Sequence, residues 1–227
     1  WDKGIKIDEK IEQFTVGNDR EIDMHLAKYD VNASLAHAKM LFSIGIITAI
    51  DLQQLEKGLS ILEKQIHEGT FVIESQFEDV HSKIEFELTN MFGEVGKKIH
   101  TARSRNDQVL VALQLYYKDQ LQTIKGLVGT FFDTLLNLAE LHKKSLLPGY
   151  THLQVAMPSS FGLWFSSYAE VIVDDVYLLD AAIKTIDQNP LGSAAGYGSS
   201  FPIDRKFTTK ELGFGALKYN VIAAQMG

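Results

Sequence analysis

Groups suited to binding and proton transfer are concentrated in three short stretches of the 227-residue chain. The first, residues 100–108, has the sequence HTARSRNDQ and contains no large apolar side chain. Arg103, Arg105 and Asn106 supply two guanidinium groups and an amide just before a long helix is predicted to begin. Positive charge opposes the dipole at a helix N-terminus, and a bound carboxylate would relieve that conflict. The stretch therefore suits the recognition of an anion.

A simpler interpretation of the same stretch is a helix cap. Ser104 is a favoured N-cap residue, and Asp107 follows three residues later, where an acidic side chain is favourable. This interpretation explains Ser104 and Asp107 but leaves the two arginines without a role. From the residues alone, a cap and a carboxylate site are equally supported.

The second stretch, residues 148–154 (PGYTHLQ), places a histidine shortly after a Pro-Gly turn. A lone loop histidine is more often a surface or hydrogen-bonded residue than a catalyst. Thr151 and His152, however, follow a rigid turn that would fix polar groups in space, and imidazole titrates near neutrality. His152 is therefore a candidate for proton transfer.

The third stretch, residues 189–205, is rich in small residues and by itself is interpreted as a flexible connector. The phosphate-loop pattern G-x-x-x-x-G-K-[ST] is absent from the sequence, so nucleotide binding gains no support. A separate cluster, Glu78, Asp79 and His81, contains potential metal ligands. Because its neighbouring acids fit the capped first turn of a helix better, no metal site is predicted.

The elements that must position these stretches are helical. Apolar residues recur at helical spacing along most of the chain, and strand-like alternation is nearly absent. The spacing predicts helices over residues 22–40, 52–66 with a Thr48–Asp51 cap, 75–92 with a Ser75 cap, 109–147 and 160–187. The last two are long for a globular protein and are predicted to lie antiparallel in a bundle. The fold class is all-α.

The apolar stripes on the two long helices need more partners than one helix pair supplies. One stripe runs through Leu121, Ile124, Val128, Phe131 and Leu135. The sequence also ends among helix-forming residues, with no stop signal before the last glycine. We therefore expect this sequence to be part of a longer chain and the bundle to be oligomeric.

Composition excludes several classes of function. With 22 Lys and Arg against 29 Asp and Glu, the formal charge is −7, which argues against general binding to nucleic acid or to an anionic membrane. The chain has no cysteine, so disulfides, thiolate metal sites and cysteine nucleophiles are excluded. No apolar run in the sequence is long enough for a bilayer, and a cytoplasmic protein is expected.

The three stretches, in this order, resemble those of the argininosuccinate lyases of the fumarase/aspartase superfamily. Residues 100–109 are similar to the family's H-T-G-R-S-R-N-D-Q-V block, with Ala102 in place of glycine. Residues 148–154 match P-G-Y-T-H-L-Q, and residues 190–193 with 203–205 match P-L-G-S and I-D-R. Residues 78–81 fit the weaker E-D-I/V-H block. The resemblance covers the whole sequence, and its first block is highly specific.

The resemblance implies a reversible elimination that splits argininosuccinate into arginine and fumarate without a metal or an organic cofactor. It implies a fumarase/aspartase-like fold, with a small N-terminal helical domain over residues 1–103 followed by a long central helical bundle. Residues 104–227 would supply only the N-terminal part of that bundle. It also implies a homotetramer whose active sites are each shared by three subunits.

The resemblance further assigns roles to individual residues. His152 would take part in proton abstraction, Asn106 and Thr151 would bind substrate, and Ser104 would assist. Arg103 and Arg105 would join the substrate-binding set, although adjacent alternating side chains need not converge on one ligand, so a structural role stays open for them.

Several departures from the family pattern bear on activity. The family's G-S-S-x-M-P-x-K-x-N loop, which carries a catalytic serine, is not found, and residues 199–202 (SSFP) are not assigned its role. Residues 14–17 (FTVG) replace F-N-x-S and lack its serine, and Met157 replaces a glutamine. Residues 1–227 alone are therefore expected to be inactive. The alternatives are another fumarate-releasing lyase or a crystallin-like structural homologue.

Overall fold

The computed structural model describes residues 9–226, with the side chains of residues 9, 10, 12 and 13 outside the description. The chain divides into two compact units. The first contains the described residues up to Tyr116 and those from Asp187 onward, and the second is Tyr117–Ile186. The domain boundary at residue 103 that the resemblance suggests stays a prediction.

The described residues form mainly helices, which confirms the all-α class. The helices are α1 (Glu9–Val16), α2 (Asp19–Asp23), α3 (Ala27–Ser43), α4 (Ala49–His67), α5 (Val80–Phe92), α6 (Glu94–Lys97), α7 (Arg105–Leu141), α8 (Phe161–Ile186) and α9 (Arg205–Glu211). Short 3-10 turns cover Lys98–His100 and Ala223–Gln225. The strands are β1 (Leu146–Thr151), β2 (Gln154–Ser160), β3 (Gln188–Asn189) and β4 (Ala216–Leu217). The short strands β3 and β4 pair in parallel.

The starts of two helices show how local sequence sets their boundaries. Thr48 and Asp51 form the predicted reciprocal capping box at the start of α4. The predicted Ser75 cap is wrong, because α5 begins at Val80 and its N-cap is Asp79, whose carboxylate accepts from the Ser82 N–H at 2.8 Å. An aspartate is as good an N-cap as a serine.

The apolar core of the first unit lies among α3, α4 and α5. Its fully buried side chains include Leu41, Leu55, Leu59, Leu62, Ile84 and Leu88. Residues 22–40, predicted as one helix, are interrupted by a turn at residues 24–26, which separates α2 from α3. A Cβ on Gly96 would stand 2.3 Å from the Leu88 carbonyl, so α5 and α6 meet where only glycine fits.

The second unit pairs the C-terminal part of α7 with α8. The two helices are antiparallel, because Lys125 bonds Asp180 at 2.5 Å while Gly162 lies against Ala139 and Lys143. The predicted long helices are thus confirmed, although α7 ends six residues before 147. No helix in the described range 9–226 has the length and apolarity to span a membrane.

The link between α7 and α8 differs from the prediction. It is an antiparallel hairpin in which β1 pairs with β2, from Leu146–Ser160 to Thr151–Gln154. Two prolines and a glycine in this stretch have low strand propensity, so the sequence alone predicts a loop. The pairing of backbone groups across the hairpin overrides that local preference.

Candidate active-site segments

The N-terminus of α7 is a capped helix start. The Ser104 N–H donates to Asp107 Oδ1 at 2.9 Å, and Ser104 Oγ accepts from the Asn106 N–H at 3.3 Å. These are the two contacts of the predicted cap, so the cap interpretation is confirmed. Ser104 is half-buried, whereas Asn106 is exposed.

Arg103 points away from solvent into a buried polar cluster. The Arg103 residue is 7% exposed; its Nη1 donates to Ser34 Oγ at 2.8 Å and its Nη2 to Asp30 Oδ1 at 3.3 Å. Gln108 Nε2 donates to both Asp30 oxygens, at 3.0 and 3.1 Å. Burial lowers the pKa of Arg103, while the Asp30 charge opposes that change.

Asp30 is the fully buried centre of this cluster. Burial by itself raises the pKa of Asp30, but His81, Arg103 and the Gln108 hydrogen bond outweigh it and hold that pKa at about 2. His81 Nδ1 lies 3.1 Å from Asp30 Oδ2, and this contact is among the causes that lower the pKa of Asp30. Asp30 therefore stays ionised and neutralises Arg103.

Arg105 also forms an ion pair within the chain. Its Nη1 pairs with Asp79 Oδ2 and lies 3.2 Å from Ser82 Oγ. Its side chain is 38% exposed, so one side still faces solvent. Asp30 and Asp79 together balance the positive charge that the sequence places at this helix start. The structure therefore supplies a counter-charge without a ligand, and anion binding by Arg103 and Arg105 stays a prediction.

Among the predicted binding residues at the start of α7, Asn106 has a side chain that is not engaged in hydrogen bonds within the described part of the chain. Its amide makes no hydrogen bond to any residue in the described part of the chain. The helix cap fixes the backbone at this residue, because the Ser104 N–H donates to Asp107 and the Asn106 N–H donates to Ser104 Oγ. This leaves both the amide donor and the amide acceptor of Asn106 open to a ligand.

Asp107 joins the start of α7 to the third polar stretch. Its Oδ2 accepts from the Gly192 N–H at 2.9 Å and from the Ala194 N–H at 3.0 Å, and the residue is fully buried. Burial raises the pKa of Asp107, and the hydrogen bonds from Ser104, Ala194 and Gly192 counteract it. Because three backbone groups converge on one carboxylate, the first and third stretches are held together.

The interpretation of the third stretch as a flexible connector is wrong. Leu191 and Ser193 are buried, and Arg205 donates to the carbonyls of Leu191 at 2.9 Å and Pro190 at 3.3 Å. Gly192 has a φ of 87°, and a Cβ there would stand 2.7 Å from the Arg205 side chain. Small residues are needed here because the backbone turns tightly against an arginine.

Thr151 and His152 lie at the tip of the β1–β2 hairpin in the second unit. Thr151 pairs with Gln154, so His152 and Leu153 form a two-residue turn, with φ values of 49° and 63°. Such turns favour Asn-Gly, because left-handed backbone costs other residues about 1–2 kcal/mol each. Both side chains are exposed, Leu153 at 99%. The turn presents the imidazole of His152 outward on a constrained backbone.

The structure therefore groups the six predicted site residues by unit. Arg103, Ser104, Arg105 and Asn106 lie in the first unit, where Asp107 links their segment to residues 190–194. Thr151 and His152 lie in the second unit. Sequence reasoning missed the buried polar side of α3, formed by Asp30, Ser34 and His37. The signal was present, because their spacing of four and three residues places them on one helix face.

Among the described residues, no three His, Asp or Glu side chains converge on a position for a metal ion. In the cluster where metal ligands were considered, Asp79 caps α5 and pairs with Arg105, and His81 adjoins Asp30. These two side chains therefore have structural partners of their own.

The described chain is mainly helical, with polar segments at both ends of its longest helix, α7. A sequence profile described as lyase matches residues 3–226. The chain therefore belongs to this lyase family, within the fumarase/aspartase superfamily.

The resemblance to argininosuccinate lyases is confirmed at the level of family. Over all 227 residues the chain is 54% identical to the argininosuccinate lyase of Phocaeicola vulgatus, and it covers 51% of that protein. It is 45% identical over 225 residues, 99% of the chain, to the argininosuccinate lyase of Thermotoga neapolitana, covering 56% of it. The chain thus spans about half the length of these curated relatives.

Solved structures confirm the fold. EDDS lyase in complex with formate superposes on 99% of the chain with a TM-score of 0.79 and 25% identity, and the match covers 44% of that protein. A fumarate lyase:delta crystallin from Brucella melitensis gives a TM-score of 0.78 over 95% of this chain and 52% of its own. At 14% identity, this second match shows the fold alone.

Proposed function

We propose that the protein containing this chain is an argininosuccinate lyase, which eliminates fumarate from argininosuccinate to leave arginine, in arginine biosynthesis. The observation that carries this proposal is the 54% identity to an argininosuccinate lyase over the whole chain. The family's most specific block, at residues 100–109, lies at the start of α7 with its cap intact. The reaction needs no cofactor in this proposal.

The chemistry explains why donors are gathered at these segments. Removal of a proton next to a carboxylate creates an aci-carboxylate with two negative charges on one group. Preorganised donors stabilise that charge more strongly than water does, because they need no reorganisation. Asn106 and Ser104, fixed by the cap of α7, and Thr151, at the hairpin tip, are donors of the required kind.

Within this proposal the six residues have different tasks. Asn106 and Thr151 bind substrate carboxylates, Ser104 assists them, and His152 takes part in the proton abstraction. Arg105 keeps an exposed side and adds positive charge to the binding segment. Arg103 is bound to Asp30 and Ser34, so it contributes by fixing the segment rather than by direct contact.

A homotetramer with shared active sites is part of the proposal. In the second unit Ile124, Leu127 and Phe131 of α7 are 45%, 65% and 55% exposed, and Tyr177 and Leu178 of α8 are 69% and 73% exposed. Of the predicted α7 stripe, Leu135 is buried within the described chain. Apolar faces of this extent support further helices from neighbouring subunits as the missing partners. We place the assembly in the cytoplasm.

The test is a comparison of substrates with the purified full-length protein. Fumarate release is measured from argininosuccinate and, at equal concentration, from adenylosuccinate, aspartate and malate. We expect kcat/KM to be higher for argininosuccinate than for the other three substrates by about a hundredfold or more. A site that binds its guanidinium and carboxylates would leave buried polar groups without partners when another substrate is bound. Preference for another adduct would replace the proposed substrate, and no release by a well-folded oligomer would favour a structural homologue.

A further inference from the structure

The turn that precedes the binding segment has an unfavourable backbone. Ala102 has a φ of 58°, in the left-handed region that a non-glycine residue avoids. This conformation lowers the population of an alanine there by a factor of roughly five to thirty relative to the ordinary helical region. Glycine would have no such penalty at this position. Contacts on either side of Ala102 must therefore hold the turn.

One such contact comes from α3 and acts on the residue before the turn. His37 Nε2 lies 2.9 Å from the Thr101 carbonyl oxygen, and the histidine is 1% exposed. Burial, and then the charge of Arg103, lowers the pKa of His37 to about 3, so the ring is neutral. Since His37 Nδ1 has no partner in the described range, the proton is assigned to Nε2, which donates to Thr101.

The other contacts act on the residue after the turn. The Arg103 N–H donates to the His100 carbonyl at 3.2 Å, and its guanidinium bonds Asp30 and Ser34. Asp30, Ser34 and His37 share one buried face of α3. A single rigid helix thus holds Thr101 and Arg103 on both sides of Ala102.

We propose that His37 is a positioning residue: by holding the Thr101 carbonyl it maintains the left-handed turn at Ala102 and thereby sets where Ser104 and Asn106 stand. This inference rests on the proposed function, because the placement of Ser104 and Asn106 affects a rate only if they bind substrate. His37 itself does not touch the substrate.

The test is a double-mutant cycle in the full-length protein with His37→Leu and Ala102→Gly. His37→Leu removes the donor, and we expect KM for argininosuccinate to rise roughly tenfold, which corresponds to the loss of about one hydrogen bond to a substrate carboxylate. In the Ala102→Gly background the rise in KM caused by His37→Leu should be smaller by a factor of about five or more, because glycine adopts the left-handed turn without the His37 contact. His37→Gln, which keeps an amide donor, restores most of the binding.

A matched control and a second measurement separate positioning from general damage. His67→Leu replaces an exposed histidine at the end of α4 and leaves KM unchanged. A protein that is only partly unfolded loses apparent kcat at unchanged KM. Hydrogen exchange of residues 99–108, measured without substrate, accelerates in His37→Leu while that of α4 does not.

The outcomes distinguish this inference from the function it rests on. Unchanged KM and unchanged exchange at residues 99–108 in His37→Leu would overturn the positioning role, as would an equal loss in the Ala102→Gly background. If the native protein releases no fumarate, the proposed function fails. Hydrogen exchange of residues 99–108 in the native protein, the two single variants and the double variant then decides whether His37 holds the turn.

Discussion

The substitution Asp30→Asn removes a buried negative charge while keeping the size of the side chain. Asp30 is fully buried and faces Arg103, Gln108 and His81. An asparagine offers only one oxygen acceptor to the donors of Arg103 and Gln108, and it removes the nearest counter-charge of the Arg103 guanidinium. We therefore expect a large loss of stability from a change of very few atoms.

The size of that loss can be worked out in two ways. The pKa of Asp30 is lowered from 3.8 to about 2, and a tenfold change in proton affinity is worth about 1.4 kcal/mol, so the ionised group contributes about 2 kcal/mol of unfolding free energy. Removal of one partner of a buried ion pair typically costs about 3–5 kcal/mol. The expected loss is therefore about 2–5 kcal/mol near neutral pH.

The pH dependence has a definite sign. Because the pKa of Asp30 is lower in the folded protein than in the unfolded chain, its contribution is fully present above about pH 4. It is lost as the pH falls through about 2. The difference in unfolding free energy between native protein and Asp30→Asn should therefore stay constant down to about pH 4 and shrink as the pH falls further, towards about 2.

The assay is urea unfolding of the full-length protein, followed by circular dichroism at neutral and acidic pH. Asp180→Asn is the matched control, because the Lys125–Asp180 pair is largely exposed and contributes at most about 1 kcal/mol. If Asp30→Asn loses no more stability than Asp180→Asn, or if the difference does not shrink in acid, the buried pair does not hold the segment as described.

Three further predictions concern the binding segment, its link to residues 190–194, and the packing of α8 against the end of α7. Asn106→Leu should weaken substrate binding and turnover together, with kcat/KM reduced about tenfold or more while the melting temperature changes little, because the exposed amide has no partner in the described chain. Asp107→Asn should cost about 2 kcal/mol or more in urea unfolding, since an amide nitrogen would face backbone N–H groups; a neutral result would contradict the three-contact bridge. Gly162→Ala should cost about 1–3 kcal/mol in the same assay, because a Cβ would stand 2.6 Å from Lys143 Cα; unchanged stability would refute the close approach of α7 and α8.

The parts of the fold that the sequence predicts are those set by local patterns. The apolar spacing of α7 and α8 identifies both long helices, and the Thr48–Asp51 pair marks the start of α4. The β1–β2 hairpin was missed because its stability comes from pairing across the turn, while its prolines and glycine locally favour a loop. Its turn also lacks the glycine that usually signals such a hairpin.

In the candidate site too, features set by local sequence could be predicted, whereas contacts between residues far apart in the sequence could not. The stretch at residues 100–108 stands out because its polar residues interrupt an apolar pattern, and its cap follows from Ser104 and Asp107. The partners of Arg103 could not be predicted, because Asp30 and Ser34 lie far away in sequence and meet it only in the folded chain. The role of residues 190–194 was misjudged for the same reason, since their order depends on Asp107.

The proposed role of His152 in proton transfer is tested by the rate constant of fumarate release by the full-length His152→Asn oligomer, recorded beside its melting temperature. His152 lies exposed at a hairpin tip, and asparagine tolerates its left-handed backbone, so folding should be unchanged. Loss of a group that takes part in proton transfer should lower the rate by about a hundredfold or more. A rate within a few-fold of the native value in a well-folded oligomer would contradict the proposed role of this histidine.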